Sequence, residues 1–234
     1  MQLRMLNTGS SPYATRCRMA FYAKGTAVDL FPPPDGLGSP AYKALHPFVK
    51  VPTLWISTGP GQIAVLQESL AILEWIDDAF PDPPLKPADP LTRARMRMLM
   101  QIADQSIMSW LMTMFPHRDL KSRDARVVER GLAGIADGFD RLEHHLPDSG
   151  LAAGDSMTLA DCVLMPIFYL VLDFMPHFGG DSPLASRNKC AGYWQRLLLN
   201  PLASRIHGEM AAHLAAARAA RFAREAAERD AASR

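Results

Sequence analysis

Gly9-Ser10-Ser11-Pro12-Tyr13-Ala14-Thr15-Arg16 is the stretch on which the fold turns. A short apolar segment over residues 2–6 runs into it, and a helical pattern over residues 12–24 leaves it. Ser11 stands at an N-cap position, and Pro12 stands at the first helical position, where a missing N–H costs nothing. The Ser10 and Ser11 hydroxyls therefore lie beside unpaired backbone N–H groups and the positive end of a helix dipole, a place that suits an anion. The plainer reading of Ser11 is a helix cap and nothing more.

Working outward, Ala14, Cys17, Ala20, Phe21 and Ala23 form one stripe of that helix, with Thr15, Arg16 and Arg18 opposite, and Gly25 ends it. Residues 27–31 predict a second strand, stopped by Pro32-Pro33-Pro34, which makes a β-α-β unit with parallel strands. A loop over 33–38 and a helical turn over 39–45 follow. Thr53 starts a further strand with Pro52 before it, and residues 63–66 give another, joined as a hairpin through Gly59-Pro60-Gly61. Gln67-Glu68-Ser69 opens a helix with Leu70, Ile72, Leu73, Trp75 and Ile76 at its apolar positions, closed by Phe80-Pro81. The proline-rich stretch 81–90 has no periodicity and marks a linker.

Beyond the linker the chain reads as helix throughout. Residues 91–114 are methionine-rich, and residues 122–145 carry Val128, Leu132, Ile135, Phe139 and Leu142 on an inner face. Thr158-Leu159-Ala160-Asp161 is a capping box opening the most apolar helix, and another helix lies around 191–199. The end from Met210 is rich in Ala, Arg and Glu, and residues 221–234 are expected to be helical or disordered.

Hydrophobic residues at 48% and charged residues at 21% place the chain among soluble globular proteins. A net charge of +1 supplies no field to draw in nucleic acid or an acidic membrane. The first residues lack an apolar signal core, and the apolar run from Cys162 to Leu172, interrupted by Pro166, reads as a buried helix too short to span a bilayer. Cys17, Cys162 and Cys190 form no metal-ligand spacing, so no metal is expected, and scattered thiols fit a reducing cytoplasm.

Four motifs in this order and spacing resemble the cytosolic glutathione transferase family over about residues 1–210: SPYATRCR from Ser11, HPFVKVPTL from His46, QESLAILEWID from Gln67 and GDSMTLAD from Gly154. The resemblance implies an α/β, thioredoxin-like domain over residues 1–80, the linker over 81–90 and an all-helical domain over 91–220. It also implies glutathione as cosubstrate and a homodimer. Carried over residue by residue, it makes the Val51–Pro52 peptide bond cis, turning the Val51 N–H and C=O toward the cysteinyl part of glutathione. It sets Ser69 against the γ-glutamyl carboxylate, with Gln67 or Glu68 near the amine, and Lys50 against the glycine carboxylate. It sends Asp104 across the dimer to the partner's γ-glutamyl amine. His46 stands where many members have Asn, and Val49 where many have Gly.

A free thiol has a pKa near ~8.5, and lowering it by about two units needs roughly 2.7 kcal/mol. One charge-assisted hydrogen bond plus a helix N-terminus is of that size. Ser11 is favoured as the donor, with Ser10 next and Tyr13 third; Cys17 lies inside the helix and faces the core. An electrophile pocket is expected between the halves; Met96, Met100, Trp110, Met112, Met114 and Phe115 line or flank the long helix that faces the first domain, most of them as helix core, and Trp110 and Met114, with Tyr13, are taken as the pocket's substrate contacts. The expected reaction is attack of the glutathione thiolate on a small apolar or aromatic electrophile. Glutathione-dependent isomerisation or ether cleavage is the alternative within the family. A ligand- or protein-binding module without activity is the alternative outside catalysis.

Overall fold

Leu3, Met5 and Leu6 are buried while Gln2 and Arg4 are exposed, so Gln2–Leu6 (β1) presents one face to a core. In the computed structural model, which describes residues 1–232, β1 is one of the two inner strands of a four-stranded sheet. Asp29–Phe31 (β2) pairs with it in parallel, and Thr53–Gly59 (β3) pairs with it antiparallel on the other side. Gln62–Gln67 (β4) completes the order β2-β1-β3-β4 through the hairpin turn, where Gly61 adopts φ 74°. The predicted second strand is shorter than expected, starting at Asp29 rather than Ala27.

Pro12–Ala23 (α1) connects β1 to β2, Pro40–Leu45 (α2) precedes β3, and Ser69–Ala79 (α3) follows β4. The sequence reading put Thr15, Arg16 and Arg18 on the outer face of α1, and the structure corrects this: all three are buried. α1 lies between α3 on one side and helices of the second half on the other, so it has no outer face over those turns. The guanidinium groups are tolerated there because each meets a carboxylate: Arg16 pairs with Asp104 and Arg18 with Glu209.

The proline-rich stretch is tied down. Leu85 is buried, its N–H donates to Asp77 Oδ1 at 2.7 Å, and its carbonyl accepts from Leu159 N at 2.9 Å. Lys24 Nζ donates to both Asp77 and the carbonyl of Pro83, which joins the end of α1 to the linker.

The second half is all helix. Pro90–Ile102 (α4) passes without a break through a π-helical turn, Ala103–Met108, into Ser109–Met114 (α5). Ala125–His145 (α6), Leu159–Phe174 (α7), Asn188–Leu199 (α8) and Pro201–Ala232 (α9) follow. α6 begins three residues later than predicted, because Asp124 accepts from the Arg126 and Val127 N–H groups and caps it. α7 opens with the predicted capping box and is buried nearly all round. With its short extension the segment runs Leu159–Phe178, 20 residues, long and apolar enough to cross a membrane; the expected shortness is corrected, and the segment is marked as core by 83% burial of its apolar window. α9 continues to Ala232, anchored through buried Ala203, Ile206, Met210 and Leu214, so the tail is helical as far as it is described; residues 233–234 lie outside the described residues.

Candidate functional site

The C-terminal ends of β1 and β4, the N-terminal end of β3 and the start of α1 open onto a cleft of about 950 Å³ between the two halves. Ser11 sits at its base. It caps α1 with extended backbone, and its Oγ accepts the Ala14 N–H at 3.3 Å. A hydroxyl that accepts at a cap still has its own proton to donate, so Ser11 can cap the helix and bind an anion together. Its N–H donates to the Thr8 carbonyl at 3.0 Å, which fixes the loop that presents Ser10 and Ser11.

One wall comes from the segment before β3. The Val51–Pro52 peptide bond is cis, in agreement with the resemblance, and Tyr42 Oη donates to the Lys50 carbonyl just before it. His46 is buried, and its Nδ1 accepts the Phe48 N–H at 3.2 Å, while Val49 N donates back to the His46 carbonyl at 2.9 Å. This tight turn holds Val49 at φ 55°, a left-handed conformation that a β-branched residue rarely adopts. Glu68, at φ 65°, is the second strained residue of the cleft and directly precedes α3. Strain of this kind costs on the order of 1–3 kcal/mol per residue and persists where the surroundings over-determine the backbone, typically at binding sites.

Ser69, the first residue of α3, is buried at the cleft wall. It is held from behind by α1: the Cys17 thiol donates to its carbonyl at 3.4 Å, and Arg16 Nη1 lies 3.5 Å from its Oγ. Arg16 also grips Asp104 with two bonds, at 2.7 and 2.5 Å. Burial pushes the Cys17 thiol up to about 12, so Cys17 stays a thiol. Tyr13 lies with its ring under the Arg16 guanidinium, 5.0 Å away; burial, then Asp104, raise its hydroxyl pKa, so it remains a donor.

Ser10, Ser11, Tyr13, Lys50, Val51, Pro52, Gln67, Glu68 and Ser69 are thus all brought to one cleft. Three sequence-predicted residues are not among its lining. Asp104 stands behind Ser69, and both of its oxygens accept from Arg16 of the same chain. Trp110 and Met114 point at α6, where Gly134 and Gly131 lack the Cβ atoms that would collide with them: a Cβ on either would lie 2.3 Å from the facing side chain. Their neighbours Met112 and Phe115 face the cleft instead, with Leu170 and Phe174 of α7 and Leu214 of α9. Of the other methionines, Met96 and Met100 are core. Sequence reasoning also missed His46 and Phe48 as cleft residues, although both lie inside the HPFVKVP motif.

The glutathione S-transferase N-terminal domain model matches residues 10–79, and the glutathione S-transferase C-terminal domain model matches residues 102–201. A maleylpyruvate isomerase from Ralstonia sp. is 32% identical over 179 residues, 70% of this chain and 80% of that one. The chain belongs to the glutathione S-transferase family. Another family relative, a stringent starvation protein A homologue from Coxiella burnetii, is 26% identical over 73% of this chain and 75% of its own. The crystal structure of a glutathione S-transferase from Methylobacterium radiotolerans in complex with glutathione sulfonate superposes with a TM-score of 0.71, at 27% identity, over 88% of this chain and 94% of that one.

Proposed function

We propose that this member of the family binds glutathione in the cleft, activates its thiol through Ser11, and transfers it to an apolar electrophile. The observation that carries the reading is the placement of Ser11, at a helix N-terminus, in the same cleft as the Val51 backbone, the Ser69 end of α3 and Lys50. In the proposed pose the γ-glutamyl carboxylate meets Ser69 and its helix end, the cysteinyl amide pairs with Val51, and the glycine carboxylate meets Lys50. The thiol then lies at Ser11, whose O–H donates to sulfur and, with the α1 dipole, favours thiolate over thiol. The thiol proton leaves to solvent, the thiolate forms a carbon–sulfur bond, and the electrophile's leaving group departs with the bonding pair. Ser11 keeps its own proton.

The choice of electrophile is supported by the far wall. Met112, Phe115, Leu170, Phe174 and Leu214 offer no charge, and the cationic or imidazole groups of the cleft, Lys50 and His46, come from the glutathione side. An apolar wall favours a neutral, aromatic or halogenated substrate and leaves a dicarboxylate poorly paired. A second reading, glutathione-assisted cis–trans isomerisation of a maleyl acid, is favoured by the 32% identity to the maleylpyruvate isomerase. Calorimetry with glutathione, followed by turnover with a halogenated nitrobenzene and with maleylpyruvate, separates the readings. Faster turnover of the aryl halide supports the first, and faster turnover of the maleyl acid replaces it with the second. No heat at millimolar glutathione removes both. The reading includes a homodimer paired along the long helix that begins the second half, and light scattering at micromolar protein tests it.

A further inference from the structure

The loop that presents Ser10 and Ser11 is gripped from the far end of the chain. Arg18 of α1 is buried, with its side chain 3% exposed. Its Nη1 donates to Asn7 Oδ1 at 3.0 Å, and its Nη2 reaches the Gly9 carbonyl at 3.5 Å and Thr15 Oγ1 at 3.4 Å. The guanidinium thus ties the loop between β1 and α1 to the helix that follows it. A buried cation needs a counter-charge, and neither α1 nor the loop supplies one. Glu209 of α9 does, with Oε2 3.1 Å from Arg18 Nε. Arg205, one turn earlier, holds the other oxygen of Glu209 at 2.8 Å and lies over the Tyr22 ring at 4.0 Å, so the carboxylate is fixed between two arginines.

One turn further along α9, the His213 imidazole packs on Gly9 so closely that a Cβ there would fall 2.0 Å from the ring. The next residue, Leu214, is part of the cleft wall. Adjacent faces of one turn of α9 therefore seat the serine loop, through His213, and border the site, through Leu214.

We propose that Glu209 is a positioning residue for thiol activation: through Arg18 it fixes the Asn7–Gly9 backbone, and with it the direction in which Ser11 donates. This rests on the cleft reading above, in that Ser11 is the donor. Glu209 touches neither glutathione nor electrophile, so its loss acts on the geometry of the donor and not on the grip of Val51, Ser69 or Lys50. A small misplacement of a donor is felt mainly in the chemical step.

The test compares the full chain with its Glu209→Ala, Glu209→Gln and His213→Ala variants by amide hydrogen exchange without ligand, and by kcat, glutathione Kd and bound-thiol pKa with it. Glu209→Ala is expected to speed exchange at Ser11 and Ala14 at least about tenfold, with the β3 amides unchanged. It should also lower kcat about tenfold and raise the bound-thiol pKa, with the glutathione Kd within about threefold of wild type. Glu209→Gln, which keeps the size of the side chain and a polar oxygen beside Arg18 but not the charge, should restore part of both effects. His213→Ala, an exposed change, should loosen the same amides and keeps the test informative where Glu209→Ala folds poorly. Unchanged exchange at Ser11 and Ala14 in both alanine variants overturns the proposal. So does a loosened loop with unmoved thiol pKa and kcat. A wild-type chain without measurable glutathione affinity overturns the cleft reading instead, and the ligand-free exchange data register that difference.

Discussion

Asp104→Ala perturbs the contact on which the two halves and the glutamyl end of the cleft depend together. Arg16 has a side chain with 0% exposure and Asp104 one with 20%, joined by bonds of 2.7 and 2.5 Å. Deleting the carboxylate leaves a guanidinium buried between α1, α3 and the π-helical turn with, among the described residues, Ser69 Oγ at 3.5 Å and the Tyr13 ring at 5.0 Å as its remaining partners. Breaking a buried pair from one side costs about 3–5 kcal/mol, and the partial exposure of Asp104 puts this case near the lower end, about 3 kcal/mol. At about 2–4 °C per kcal/mol for a chain of this size, Tm should fall by about 6–12 °C. Differential scanning calorimetry with urea unfolding measures it. An Arg16→Leu/Asp104→Leu double variant removes both charges and should lose less than Asp104→Ala alone. A Tm for Asp104→Ala within about 2 °C of wild type would refute the reasoning, since it would mean that Arg16 needs no counter-charge.

Asp161→Ala should destabilise by about 3 kcal/mol in urea titration, because the Ala152 and Thr158 N–H groups and the Tyr193 hydroxyl, all buried, lose their acceptor. Lys50→Ala should raise KM for glutathione roughly tenfold, leave kcat within about twofold and flatten the salt dependence of kcat/KM. A disulfide reagent at pH 8 should find no fast thiol in the native protein: Cys17, Cys162 and Cys190 are all buried, and burial raises each thiol's pKa, so the thiolate fraction at that pH is negligible until the chain unfolds.

What could be read from the sequence was set by local chemistry. Ser11-Pro12, Ser39-Pro40 and Thr158 with Asp161 each announce a helix start through a short-range cap, and each opens a helix. The residues that gather in the cleft from Lys50-Val51-Pro52 and Gln67-Glu68-Ser69 lie within motifs and were legible for that reason. Arg16 and Arg18 were misplaced because their partners, Asp104 and Glu209, stand in the other half of the chain, and a helical wheel of α1 alone puts an arginine outside. Trp110 and Met114 were misplaced for a second reason. The methionine-rich composition of residues 91–114 does not say which of its large side chains turn to the cleft and which to α6. The row Gly131, Gly134 and Gly138 of α6 was the visible signal, since small residues at helical spacing make room for large ones on a neighbour.

Ultraviolet titration of the thiolate of bound glutathione, in wild type and in Ser11→Ala, tests the central claim most directly. In wild type the thiol should titrate about two units below the ~8.5 of a free thiol. In Ser11→Ala most of that shift should disappear, kcat/KM at neutral pH should fall and recover in part at alkaline pH, and the glutathione affinity should survive. A thiol pKa and a rate that are the same with and without the Ser11 hydroxyl would contradict the account.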